Sequence, residues 1–158
     1  MTESSTFLSL VVFLHVISAV LWVGGMIAIR FAVHYSIQNI VEPKIKIERT
    51  LENLKRFFNM VIPAILILLV TAVILILTLG FKGTPLYSIV IVKEAIWTVM
   101  TIVFIIIYLK RNKAEKAFIA GDFLGAKNSL VPIAKYYIPL NIILGIAAIY
   151  FGVTLRGF

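Results

Sequence analysis

The sequence predicts an all-α fold, a four-helix transmembrane bundle that forms a single domain over residues 1–158. Apolar residues make up 61% of the 158 residues, and the mean hydropathy of +1.06 is far above that of soluble proteins. Four apolar runs each approach the roughly 20 residues that a helix needs to cross the hydrocarbon core of a bilayer. None shows the period of two that barrel strands require. The runs are residues 7–31, 59–80, 86–109 and 136–155.

The first run predicts a permanent helix rather than a removable signal sequence. Glu3 stands where a signal sequence carries positive charge, and the apolar run from Phe7 is too long for one. The short segment 81–85 contains both Gly83 and Pro85. It predicts a tight turn, so the second and third helices should be antiparallel neighbours.

Basic residues concentrate in two connecting segments and determine the predicted orientation. The net charge of +8 would suggest nucleic acid in a soluble protein, but contact with anionic lipid headgroups accounts for it here. By the positive-inside rule, both basic segments should face the cytoplasm and both termini should lie outside. We expect the protein in the inner (cytoplasmic) membrane. These basic residues are Lys44, Lys46, Arg49, Lys55 and Arg56 in the first segment and Lys110, Arg111, Lys113, Lys116, Lys127 and Lys135 in the second.

Both basic segments also carry helical patterns. Apolar residues recur at helical spacing over 45–58, which predicts an amphipathic lead-in that lies on the membrane surface and continues into the second span. Residues 110–120 predict a basic extension of the third helix. Gly121 should end that extension, and Asp122 is a suitable cap for another short helix.

Two ionisable residues lie inside apolar runs at the same predicted depth. His15 follows Phe7 by eight residues, and Lys93 follows Leu86 by seven. The first and third helices run in the same direction, so at 1.5 Å per residue both side chains lie about 10–12 Å below the outer boundary. Ionisable residues within spans usually face the bundle interior and are functional candidates. We therefore expect His15 and Lys93 to share a cavity.

The residues around this pair are compatible with a flat cofactor, although their spacing alone favours a structural role. Trp22 lies on the face of His15, and Trp97 lies on the face of Lys93. Gly25, with the glycine before it, allows a helix or a planar ligand to approach closely. An imidazole in an apolar four-helix interior suits an axial ligand to haem iron, with Lys93 as the second ligand or as a cation that binds a carboxylate.

Each of these residues also has a structural interpretation. His15 is equally suited to a hydrogen bond between helices, and Lys93 to snorkelling toward the outer interface or pairing with Glu94. Arg30 and His34 lie near the inner end of the first helix. There they could bind cofactor propionates, bind anionic lipid, or simply anchor the helix at the interface.

Other chemistries are poorly supported by the sequence. The chain has no cysteine, which excludes disulfides, thiolate ligands and thiol catalysis. No Ser-His-Asp set, phosphate loop or paired carboxylate is recognisable. The methionines Met26, Met60 and Met100 are soft ligands that suit copper, although their scattered positions favour ordinary packing.

Short motifs of the first three helices resemble the HemJ-type protoporphyrinogen oxidases. The first helix carries His15-x6-Trp22-x-Gly24-Gly25-Met26 and then Arg30-Phe31-Ala32-Val33-His34. The start of the second helix in that family is similar to Leu54-Lys55-Arg56-Phe57 with Ile62-Pro63. In the third helix, Lys93 falls where the family has its essential lysine. The resemblance implies haem b bound through His15 and a role for Lys93 in activity. It also implies oxidation of protoporphyrinogen IX, with electrons passed to quinone. The family's Asn-Glu-x-Pro motif is absent from the last helix, which has Pro139-Leu140-Asn141.

Two other functions remain open on the sequence. The Leu-Trp-x-Gly-Gly-Met segment that ends at Met26 also looks like the CopD-type copper-resistance membrane proteins. That likeness implies copper binding or transport, with His15 and methionines as ligands. A non-catalytic membrane scaffold is the third interpretation. In each case the bilayer is a partner, and so small a bundle has enough outer surface to favour a homo-oligomer.

Overall fold

The computed structural model describes residues 3–155, and within that range the chain is helical with no strand. Four continuous helical stretches, 5–38, 43–79, 87–119 and 123–154, are long and apolar enough to cross a membrane. The predicted four-helix transmembrane bundle is therefore confirmed, and the chain is a multi-pass membrane protein. The elements are α1 (Glu3–Ala28), a π-helical segment (Ile29–Val33), α2 (His34–Gln38), α3 (Pro43–Leu79), α4 (Tyr87–Ile119), α5 (Phe123–Pro132), a second π-helical segment (Ile133–Tyr137) and α6 (Ile138–Thr154).

The helix ends follow the predicted turn residues. Gly80 ends α3 in the left-handed region, with φ of +62°, a conformation that a residue without a side chain adopts readily. Gly121 has φ of +81° after α4. Asp122 then caps α5, because its Oδ1 accepts a hydrogen bond from the backbone N–H of Gly125 at 2.8 Å. The tight turn after α3 and the capped short helix were both predicted.

The amphipathic lead-in is where the sequence-based prediction is wrong in part. Residues 45–58 do flow into the second span, but they form one 37-residue helix with it, about 55 Å long. Ile47, Leu51 and Leu54 are buried in the core of the bundle. The apolar face therefore packs against other helices instead of lying on the membrane surface. Helical periodicity is the same in both cases, so the sequence could not separate them.

The middle of the bundle is closely packed around aromatic rings. Trp22 of α1 meets Phe104 of α4 edge to face, with 6.2 Å between ring centroids, and Phe58 of α3 meets the same ring at 5.3 Å. Such pairs contribute about 0.5–1.5 kcal/mol each beyond burial. Because lipid tails are as apolar as these side chains, close packing is what stabilises the bundle in a membrane.

Helix α6 fits this core through a glycine and an asparagine. A Cβ atom on Gly145 would lie 2.5 Å from Val23 and 3.3 Å from Met100, so only glycine allows α6 to approach α1 and α4 so closely. Asn141 is fully buried and donates from Nδ2 to the carbonyl oxygen of Met100 at 3.1 Å. These contacts set the register of α6 against α4.

The two ends of the bundle differ in charge. One end contains residues 39–56 and 110–135 and is called the basic end. The opposite end contains the turn 80–86. Arg111 at the basic end is buried, and its Nη2 donates to Glu115 at 2.8 Å and to the carbonyl oxygen of Leu51 at 3.3 Å. The bond to Leu51 joins α4 to α3, and the ion pair with Glu115 within α4 balances a cation that would be costly to bury alone.

Candidate functional site

His15 is anchored to α3 by a hydrogen bond to a threonine. Nδ1 of His15 lies 2.9 Å from Oγ1 of Thr71. Thr71 is 3% exposed, whereas His15 is half-buried. Thr71 in turn lies 2.6 Å from the carbonyl oxygen of Ile67 and 3.1 Å from that of Leu68. One nitrogen of the imidazole is therefore held by a hydroxyl that has its own backbone partners.

The number of donors and acceptors in these hydrogen bonds favours one tautomer of His15. A threonine hydroxyl has a single proton and two lone pairs, and the short distance to the carbonyl oxygen of Ile67 favours that oxygen as the acceptor of the proton. The oxygen of Thr71 then accepts from the N–H at Nδ1 of His15. A neutral imidazole held in this way keeps a lone pair on Nε2, which is the arrangement typical of histidines that ligate metals.

Lys93 reaches the same level of the bundle from α4. A Cβ atom on Gly152 would lie 3.1 Å from Nζ of Lys93, so the amine packs against α6 at a residue that leaves room for it. Met100, seven residues after Lys93, packs on Gly145, seven residues before Gly152. Because α4 and α6 are antiparallel and the two spacings are equal, Gly152 lies level with the backbone of Lys93. The lysine amine, which packs on Gly152, is therefore at that same depth.

This placement has consequences for the alternatives considered for Lys93. A side chain that snorkels extends toward the interface, whereas this amine stays beside Gly152. Glu94 is exposed on the outside of the bundle, and the three ion pairs of the described residues do not include Lys93.

Val23 of α1 and Met100 of α4 both pack on Gly145. His15 and Lys93 precede these two residues by eight and seven positions, so they lie at the same level of the bundle. The structure thus brings together the two ionisable residues that the sequence singled out.

The three residues expected to wall a cofactor pocket have different positions. Trp22 is 1% exposed and belongs to the packed core, and Trp97 is half-buried against it. The indole N–H groups of both tryptophans lack a hydrogen-bond partner. Gly25 packs on Phe57, since a Cβ there would lie 2.7 Å from Cε2 of that ring. Gly25 therefore serves contact between α1 and α3, two to three helical turns away from His15.

Arg30 and His34 lie far from His15, because they follow it on the same helical rod by 15 and 19 residues. At 1.5 Å per residue these separations are about 22 and 28 Å. The carboxylates of one haem cannot extend that far from an iron bound at His15. The structure therefore separates Arg30 and His34 from the candidate centre with which the sequence analysis had grouped them.

The geometry also bears on the copper alternative. Met26 lies 11 residues after His15 on α1, about 16 Å away along the axis. Met26 and Met100 are 1% and 3% exposed within the core. Among the residues that the structure describes, no group of three His, Cys, Asp or Glu side chains is placed to hold a metal ion. Met26 and Met100 thus have the positions expected of packing residues.

Haem demands less of the protein than such a multi-ligand site, because the porphyrin supplies four of the iron's ligands and the chain need add only an axial one. The lone pair at Nε2 of His15 is suited to that role, and the amine of Lys93 lies at the same depth of the bundle. The donor set therefore fits haem chemically.

Sequence reasoning missed the two residues that complete this site, Thr71 and Gly152. Thr71 is one of two hydroxyl residues in the second apolar run, the other being Thr78. A polar residue in mid-span was the available signal. Which of the two hydroxyls faces His15 depends on the rotation of α3, which the sequence does not give. Gly152 had no comparable signal.

The fold and these contacts define a class of protein: a multi-pass helical membrane protein with a histidine, a threonine and a lysine gathered inside its bundle. No family model, curated protein or solved structure matches the chain.

Proposed function

We propose that this chain is a haem-b-binding membrane oxidoreductase in which Nε2 of His15 would hold the haem iron. The observation that carries the proposal is the 2.9 Å hydrogen bond from Nδ1 of His15 to Thr71. It orients the ring and leaves the other nitrogen able to donate a lone pair. Bound haem would supply one-electron chemistry at this point of the bilayer.

Lys93 has two roles compatible with its position at the depth of His15. Its amine can donate a lone pair to iron when deprotonated, or it can bind a carboxylate when protonated. The resemblance to the HemJ-type oxidases favours a porphyrin substrate, protoporphyrinogen IX, which carries propionate carboxylates. In that case Lys93 would orient the substrate, and electrons would pass to a quinone in the same membrane.

The experiment that tests haem ligation compares two histidine variants of the same helix. The protein is expressed with haem precursors, purified in detergent, and its haem content per chain is measured from the Soret band. We expect His15→Ala to lose most of the haem, whereas His34→Ala, some 28 Å further along α1 and α2, should keep it. Full haem occupancy in His15→Ala would rule out the assignment.

A further inference from the structure

A groove at the basic end of the bundle is separate from the His15 site. Two adjoining clefts form it, with volumes of about 40 Å³ and 270 Å³. Both are lined by Ile29, Val33 and Asn53, so we treat them as one α1–α3 groove. The larger cleft approaches the roughly 300–1,000 Å³ of small-molecule sites. Ile29 and Val33 bound the π-helical segment, and such segments occur frequently at functional sites.

The floor of the groove is apolar and runs along the helix axes. Gly25 and Ala28 supply its side on α1, and Phe57 and Met60 supply its side on α3. Gly25 lets Phe57 pack closely against α1, so the floor is a shallow apolar groove along the contact between the two helices. From Asn53 to Met60 the floor extends seven residues along α3, about 10 Å. A groove of this form suits an extended hydrocarbon chain.

The two arginines that line the groove differ in their partners: Arg56 pairs with Glu52 at 2.6 Å, whereas Arg30 is free of any ion pair among the described residues. Arg30 and His34, at the rim of the groove, line the smaller cleft. The guanidinium carbon of Arg30 lies over the rings of Phe31 and Tyr35, at 5.9 and 6.0 Å. The adjacent Lys46 donates only to Gln38. The rim thus offers cationic donors to an anion from outside the chain.

We propose that the α1–α3 groove binds one anionic phospholipid, with its phosphate at Arg30 and His34 and an acyl chain against Gly25 and Ala28. An amphiphile can use the charged rim and the apolar floor together, whereas a soluble anion can use only the rim. Helices that span a membrane place the groove where such lipids are present. The proposal is independent of haem, since Arg30 lies about 22 Å from His15 along the helix.

The charge part of the proposal is tested by lipid-dependent unfolding of the purified protein in detergent. Dioleoylphosphatidylglycerol should raise the unfolding temperature in a saturable way, and dioleoylphosphatidylcholine or inorganic phosphate should not. Arg30→Gln should weaken the affinity for phosphatidylglycerol by about tenfold or more, the contribution of one charge-assisted hydrogen bond. Lys113→Gln, an exposed lysine of the same end outside the groove, is the matched control.

The apolar part is tested by filling the floor. Ala28→Leu should lower the affinity for phosphatidylglycerol, whereas Ala32→Leu makes the same size change at an exposed residue that does not line the groove. Native mass spectrometry should find one retained lipid per wild-type chain and none on Ala28→Leu. Equal stabilisation by both phospholipids, equal stabilisation by inorganic phosphate, or unchanged binding in both Arg30→Gln and Ala28→Leu would overturn the proposal.

Discussion

Among single residues, Thr71 favours one tautomer of His15. The threonine is buried and lies closer to the carbonyl oxygen of Ile67 than to the ring, which favours its oxygen as the acceptor of the Nδ1 proton. A hydrogen bond of this kind beyond the ligand itself typically affects metal affinity by about 10- to 100-fold. The proposed ligand, His15, is on α1, and the threonine that orients it is on α3.

Thr71→Val tests this support while keeping the shape of the side chain. Without an acceptor at Nδ1, the imidazole loses its fixed orientation and tautomer, and haem affinity should fall by about 10- to 100-fold. The dissociation constant is measured by titrating apoprotein with haem and following the Soret band. Thr78→Val, an exposed threonine of the same helix, should bind haem as the wild type does. Wild-type affinity in Thr71→Val would contradict the tautomer argument.

Lys93→Met and Lys93→Arg separate the two roles of the lysine. Methionine keeps much of the apolar bulk and removes a half-buried cation, so the bundle should stay folded. We expect Lys93→Met to alter the haem spectrum or abolish turnover of protoporphyrinogen IX. Arginine has no lone pair for iron but can still bind a carboxylate, so it should fail only if the lysine is a ligand.

The control for these variants is Lys82→Met, which alters an exposed lysine in the turn at the same end of the bundle. It should leave spectrum and turnover unchanged. If Lys93→Met also leaves both unchanged, then Lys93 has only a structural role.

At the scale of elements, α6 depends on two glycines with different neighbours. Gly145 lies against Val23 and Met100 in the packed core, and Gly152 lies against the amine of Lys93. Val23 is β-branched and stiff at χ1, so it cannot yield to an added methyl group. The end of a lysine side chain can move instead. The first glycine therefore fixes packing, and the second leaves space within the candidate site.

Gly145→Ala and Gly24→Ala form a matched pair that measures this packing. The Cβ on Gly145 would lie 2.5 Å from Val23, so overpacking should destabilise the bundle by about 1–3 kcal/mol. Gly24 has no such neighbour within 4 Å, and alanine there should be neutral or stabilise α1 by about 0.5–1 kcal/mol. Thermal unfolding in detergent reports both values. Similar stability of the two variants would refute this account of the contact.

The same elements show what the sequence could and could not predict. Hydropathy and length were sufficient for the four spans, and residue spacing placed His15 and Lys93 at a common depth. The rotation of α3, which decides that Thr71 and not Thr78 meets His15, depends on packing against the other helices. The lead-in at 45–58 was misjudged because an apolar face of that period fits lipid and protein equally well. Arg30 was assigned to the same site as His15 because its charge suits a propionate. That assignment ignored the distance of about 22 Å between the two residues along the helix.

At the scale of the whole molecule, charge distinguishes the two ends of the bundle. The basic end carries the clustered lysines and arginines, and the opposite end carries Lys82 in its turn. This asymmetry predicts that the basic end faces the cytoplasm. It would also place the α1–α3 groove in the cytoplasmic leaflet, where anionic lipids supply negative charge.

Single cysteines in this cysteine-free chain test the orientation. Thr84→Cys in the turn and Lys113→Cys at the basic end both replace exposed residues. In intact cells a membrane-impermeant maleimide should label Thr84→Cys, and it should label Lys113→Cys only after the membrane is opened. Labelling of Lys113→Cys in intact cells, without labelling of Thr84→Cys, would reverse the orientation.

The visible absorption spectrum of the purified wild-type protein, combined with elemental analysis for iron and copper, tests the central claim most directly. We expect a Soret band, iron bound to the chain without covalent attachment, and loss of that band in His15→Ala. Copper without a Soret band would indicate the copper-binding alternative. A protein expressed with ample haem that carries neither metal, and that binds no added haem, would contradict the proposed function.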